Sequence, residues 1–112
     1  MRPKGPWHPA YIENADNGKK AMRLPSEAAS DFRELFSAES MDGSGLDWES
    51  VLKPALRHRD KAAFAAMEFD SEADCFVALT RDENALNVLG QLIKDLLHNR
   101  HALEKAIHDH ES

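Results

Sequence analysis

The stretch Met67-Glu68-Phe69-Asp70-Ser71-Glu72-Ala73-Asp74-Cys75-Phe76-Val77-Ala78-Leu79-Thr80 decides how the chain folds. Phe69, Cys75, Phe76, Val77 and Leu79 favour extended backbone, and no Pro or Gly interrupts them. The polar run from Ser71 to Asp74 separates two strand-like halves, which predicts a β-hairpin. A two- or four-residue loop sets one register, with Asp70 opposite Cys75 and Phe69 opposite Phe76. Residues directly opposite share a face, and faces alternate along each strand. One face then carries Met67, Phe69, Phe76, Ala78 and Thr80, a core face. The other carries Glu68, Asp70, Cys75, Val77 and Leu79. Carboxylates mixed with apolar side chains mark a candidate binding surface; the alternative is that helices or loops cover this face.

A second hairpin is expected nearer the N-terminus, where Asn17-Gly18 tolerates positive φ. A two-residue Asn17-Gly18 turn puts Ile12 opposite Arg23. A three-residue loop, Asp16-Asn17-Gly18 with Gly18 left-handed, puts Ile12 opposite Met22 and Ala10 opposite Leu24. The second register buries more apolar surface and is preferred. Pro9 suits an edge strand or a strand start.

Between the hairpins two helices are expected. Ser26 caps the first, whose apolar face is Ala28, Ala29, Phe32, Leu35 and Phe36. Asp47 caps the second, with Trp48, Val51, Leu52, Ala55 and Leu56 as its stripe, and Pro54 should kink it or end its regular part. Arg57 to Lys61 reads as a charged turn, and residues 62–66 as helix end or strand lead-in. After the second hairpin, Asp82 caps a helix with Leu86, Leu89, Ile93, Leu96 and Leu97 on one face. His98-Asn99 breaks it, and a short last helix buries Leu103, Ala106 and Ile107. Gly90 costs that long helix about 1 kcal/mol against Ala and suggests close helix packing. The element order predicts an α+β domain: a small, mainly antiparallel four-stranded sheet of two hairpins, with helices on one face. Residues 1–6 are expected to be a loose N-terminal arm and 7–112 one domain.

Composition sets bounds. The net charge of −6 is uneven: residues 1–24 carry five basic and two acidic side chains, the remainder nine and eighteen. An acidic body argues against nucleic acid as the ligand and permits a basic protein partner. The one cysteine, Cys75, excludes a disulfide framework and a cysteine-cluster zinc site, and suits a reducing cytoplasmic setting. No apolar run reaches the length of a membrane span, and no apolar segment follows the basic N-terminal residues as a secretory signal would need.

Two blocks carry a family resemblance. Gly43-Ser44-Gly45-Leu46-Asp47-Trp48-Glu49 and Phe69-Asp70-Ser71-Glu72-Ala73-Asp74-Cys75-Phe76-Val77-Ala78, followed by an Asp-capped Leu-rich helix, resemble the immunity protein 51 family of bacterial polymorphic toxin systems. The resemblance spans roughly residues 40–108. Leu46 departs from it where an aromatic is expected, and Asp74 where Gly is expected. It implies a small α+β protein, non-catalytic, that binds and neutralises a cognate toxin domain.

Other chemistry finds little support in the residues. Cys75 has no histidine near it in sequence, and a half-buried structural thiol accounts for it. The histidines (His8, His58, His98, His101, His108, His110) form no recognised ligand spacing, so no metal is expected. Asp70, Glu72 and Asp74 alternate, but the loop is too short for an EF-hand. No glycine-rich phosphate loop occurs, and no cofactor is expected.

Glu68, Asp70, Glu72 and Asp74 repel one another without a cation in their stretch, and a basic surface from another molecule would complement them. The reading is therefore a cytoplasmic inhibitor that occludes the active site of a basic toxin, such as a nuclease. Glu68, Asp70, Glu72, Asp74, Val77, Leu79, Asp42 and Glu49 are its candidate toxin-binding residues, and Asp47, Trp48, Phe69 and Phe76 its structural motif. Carboxylates from 68–74 and from the loop 39–49 would then mimic substrate phosphates. A small regulatory or adaptor domain with a protein or peptide ligand is the alternative.

Overall fold

A computed structural model describes residues 7–109; the expected arm at 1–6 and His110 lie outside them. Four antiparallel strands form one sheet: β1 (Tyr11–Asn14), β2 (Lys20–Pro25), β3 (Glu68–Phe69) and β4 (Cys75–Thr80), in the spatial order β1-β2-β4-β3. The first hairpin takes the three-residue loop, with Ile12 opposite Met22. Gly18 sits at φ 75°, and Asn17, also left-handed at φ 61°, shares the reversal. The two hairpins join through β2 and β4, where Leu24 faces Phe76 and Met22 faces Ala78.

The second hairpin departs from the expected register. Phe69 lies opposite Ala78, Glu68 opposite Leu79, and Glu72 bridges Cys75, so the loop is Ala73-Asp74. The partner of Phe69 is displaced by two residues, which leaves every side chain on its expected face because the strand period is two. The cause lies outside the hairpin. Ser26 N–H and Ser26 Oγ both donate to the Asp74 carbonyl, and Gly45 N–H donates to that of Ala73 at 2.8 Å. The turn is placed by its neighbours as well as by its own residues.

Met22, Leu24, Phe76, Ala78 and, partly buried, Phe69 face the helices. A 3-10 segment (Glu27–Phe32) leads into α1 (Arg33–Ser37), which replaces the single helix expected here. Ser26 makes no side-chain cap, because its hydroxyl is committed to Asp74, and Ala28 is exposed. Helix α2 (Gly45–Arg59) continues through Pro54 to Arg59. The expected charged turn is instead the end of α2, Asp60 and the start of the short α3 (Lys61–Ala65), which takes in most of the AAFAA segment and is capped by Asp60, whose carboxylate accepts from Ala63 N–H. Asp82 caps α4 (Glu83–Leu97) by accepting from Asn84 and Ala85 N–H, and Asn99 caps α5 (Arg100–His108). Leu89, Ile93, Leu103 and Ile107 are fully buried beneath the sheet's core face. Gly90 admits the Trp7 ring: a Cβ there would lie 2.3 Å from it, so an aromatic ring makes the close approach anticipated for a helix.

The cap of α2 is Ser44, with Asp47 at the third helical position. Ser44 Oγ accepts from Asp47 N–H at 3.1 Å. Asp47 Oδ2 accepts from the N–H groups of Asp42, Gly43 and Ser44, a capping box extended backwards into the loop. Asp47→Ala is expected to cost about 0.5–2 kcal/mol. A denaturant midpoint equal to wild type would show that water satisfies those donors equally well.

Trp48 is buried and meets Phe36 edge-on, with ring centroids 4.9 Å apart. In a Trp7→Phe background the remaining tryptophan emission should be blue-shifted and protected from a soluble quencher, and should move to the red on unfolding. Free quenching in the native state would contradict this placement.

Candidate functional site

The outer face of the sheet is made of cross-strand rows. One row runs Glu13, Ala21, Leu79, Glu68 and the next Tyr11, Arg23, Val77 and, through the Asp70 N–H bond to the Val77 carbonyl, Asp70. The sheet residues of the main hydrophobic cluster lie on the other face, while Ala21 and Val77 on this one are buried outside that cluster. Glu68, Asp70 and Glu72 therefore form a column of carboxylates along the β3 edge. Glu68 is paired with Lys19 at 2.8 Å. The hydrogen bonds from Lys19, then its charge, hold the Glu68 carboxyl below the usual carboxylate range.

Val77, a candidate toxin-binding residue, is not accessible. It is short, stands on a central strand between the longer Arg23 and Asp70, and is only 4% exposed. Leu79 is half-buried. Arg23 is drawn to Glu13, with Nε 3.1 Å from the carboxylate. Burial, the largest influence, pushes the Cys75 thiol up, opposite to what an activated nucleophile needs.

The remaining predicted residues converge at one end of the sheet. Gly45, the first residue of α2, packs directly on the hairpin: a Cβ there would lie 2.1 Å from the Glu72 carbonyl oxygen and 2.4 Å from the Cys75 carbonyl. The loop before α2 is thus set against the hairpin turn. Asp42, Glu72 and Asp74 are exposed around this junction. None of these three, nor Asp70, is in an ion pair with another described residue.

Glu49 has a different task. Its carboxylate accepts from Ser71 N–H at 3.3 Å and so ties α2 to the hairpin. Ser71 Oγ in turn accepts from Val77 N–H at 2.9 Å, taking the place of a ladder carbonyl. Asp47, turned onto backbone N–H groups, contributes to the frame of the patch. Leu46, 51% exposed, places an apolar side chain among the acids. Sequence reasoning missed it as a contact residue, although its position in the first turn of an amphipathic helix, away from the Trp48 stripe, points it outward.

The arrangement is a surface of acids around one leucine. Two grooves, of about 420 and 360 Å³, run between α2 and α5 and between α1 and α5; none of the predicted site residues lines either of them. His108 Nδ1 lies 3.2 Å from Glu39 at the second groove. Among the described residues no three or more His, Cys, Asp or Glu side chains are grouped to hold a metal ion. No described helix is long and apolar enough to cross a membrane.

No curated protein and no solved structure matches the chain. The family model described as immunity protein 51 matches residues 10–112, which takes in both hairpins, the Gly45 junction and all five helices. By that near-complete match the chain belongs to the immunity protein 51 family.

Proposed function

We propose that this protein is a cytoplasmic inhibitor that binds one cognate bacterial toxin domain and blocks its active site by occlusion. Family membership supplies the class of partner. The observation that carries the mode of binding is the junction at Gly45, which brings Asp42 and Leu46 beside Glu72 and Asp74. Exposed carboxylates without cations of their own suit a basic surface, and a nuclease cleft built for phosphates is the simplest such surface. The exposed leucine supplies apolar contact inside a charged rim, the usual anatomy of a protein interface.

Rim charges govern association rate more than dissociation. The double charge reversal of Glu72 and Asp74 to Lys is therefore expected to slow association with the cognate toxin and to weaken its salt dependence. Both side chains are exposed and unpaired, so the melting temperature should stay near wild type. Stopped-flow binding across a salt series measures the effect. The reading fails if a folded protein with Asp42, Asp70, Glu72 and Asp74 all neutralised binds the toxin, and protects cells from it, as well as wild type at physiological salt.

A further inference from the structure

The two edges of the sheet are finished differently. On the β3 edge the strand is two residues long, and the next outward N–H, that of Ser71, is taken by the Glu49 carboxylate. On the β1 edge no described residue does the same. Ala15 N–H donates to the Lys19 carbonyl at 2.8 Å, which sets the alternation of the first ladder. With Tyr11 opposite Arg23 and Glu13 opposite Ala21, the backbone groups of Tyr11 and Glu13 point to β2, and those of Ile12 and Asn14 point away. Among the described residues no hydrogen-bond partner takes the outward N–H or C=O groups of Ile12 and Asn14. The side chains are open as well. Ile12 shares a face with the fully buried Met22 yet is 39% exposed, and Tyr11 on the opposite face is 41% exposed. Of the three exposed large hydrophobic residues among those described, two are thus successive residues of this edge strand.

We infer that β1 is the place where the toxin adds an extended segment as a fifth strand. This rests on the toxin-binding reading and extends it to a surface distinct from the acidic patch. A second copy of this chain fits the edge poorly. Pairing Ile12 with Asn14 of a second copy sets the two Glu13 carboxylates opposite each other, like charges that destabilise the pair. Pairing Ile12 with itself calls on the N–H of Ala10, which already donates to the Trp7 carbonyl at 2.9 Å. A foreign strand avoids both conflicts. It would place an apolar residue beside Ile12, on the helix side, and on the outer face it would pass Glu13, whose carboxylate Arg23 already holds. Main-chain bonds along the edge give such a contact its affinity, and the alternate side chains give its specificity.

Amide hydrogen exchange on the isotope-labelled full chain tests this, free and with the catalytically inactivated cognate toxin domain. The Ile12 and Asn14 amides should exchange fast in the free protein and at least about tenfold more slowly in the complex. The Tyr11 and Glu13 amides, already in the ladder, should be protected in both. Ile12→Pro deletes an outward donor without touching the β1–β2 ladder, as edge strands permit, and should weaken binding about tenfold with the circular dichroism and melting unchanged.

Fast exchange at Ile12 and Asn14 within a formed complex overturns the inference and leaves the toxin-binding reading intact. Protection in the free protein also overturns it, assigning the edge to a second copy if it grows with concentration and to the chain itself if it does not. Failure of the chain to bind any toxin domain, the one encoded in its own operon included, overturns both readings. Binding that is indifferent to neutralised Asp42, Asp70, Glu72 and Asp74 but lost in Ile12→Pro removes the acidic patch and keeps the edge.

Discussion

Phe76→Ala is expected to remove about 3–5 kcal/mol of stability, the range for truncating a buried aromatic. Phe76 is fully buried on the central strand β4, directly opposite Leu24. Its ring lies 6.2 Å from that of Phe69, and it belongs to the buried cluster that joins the sheet to the helix layer. Neighbours on a sheet pinned from both sides cannot collapse into the space, so the lost transfer free energy and the cavity cost add. A small domain has about 5–15 kcal/mol in total, so the variant should be partly unfolded at growth temperature. The denaturant midpoint should fall with little change in slope. A near-neutral midpoint would mean that the sheet and the helices do not share this core.

Gly45→Ala is the second large effect. The added methyl would meet backbone, 2.1 Å from the Glu72 oxygen and 2.4 Å from the Cys75 carbonyl, and backbone cannot rotate out of the way as a side chain can. Helix α2 must lift from the hairpin turn, at a cost of about 1–3 kcal/mol for overpacking, and with it goes the bond from Gly45 N–H to Ala73. Binding should suffer more than stability, because the shift separates Asp42 and Leu46 from Glu72 and Asp74. Gly90→Ala is the control. There the three atoms nearest the methyl all belong to the Trp7 ring, a side chain on the chain's leading segment, so stability should fall less and toxin binding should be kept. Equal affinity loss in both variants would show that the Gly45 junction has no special part in recognition.

Local patterns carried most of the fold into the sequence. The Asn17-Gly18 loop, the Asp82 cap and the leucine face of α4 each depend on residues within a few positions, and each is where the pattern put it. The faces of the second hairpin survived a misjudged register because alternation is indifferent to a shift of two. The errors have a common physical origin. Ser26, Gly45 and Glu49 are each tied to the hairpin 22 or more residues away, and no local rule anticipates such bonds. The cap of α2 is the exception: Ser44-x-x-Asp47 spells a capping box, and the choice of Asp47 overlooked it. At the site, the acidic residues were legible from their density, but their division was not. Glu49 and Asp47 are spent on backbone N–H groups, Glu68 on Lys19, and Val77 is shielded by its cross-strand neighbours. Each depends on which strand or loop lies next to which.

The hairpin turn is held from three directions: by Ser26 at Asp74, by Gly45 at Ala73, and by Glu49 at Ser71. A loop so fixed has already surrendered its conformational freedom during folding. It brings little ordering entropy to an encounter, so docking at this end should be close to rigid-body, with a bound turn superposable on the free one. On the proposed toxin-binding reading, this favours capture at the rate of collision and orientation, without a wait for the turn to find its shape.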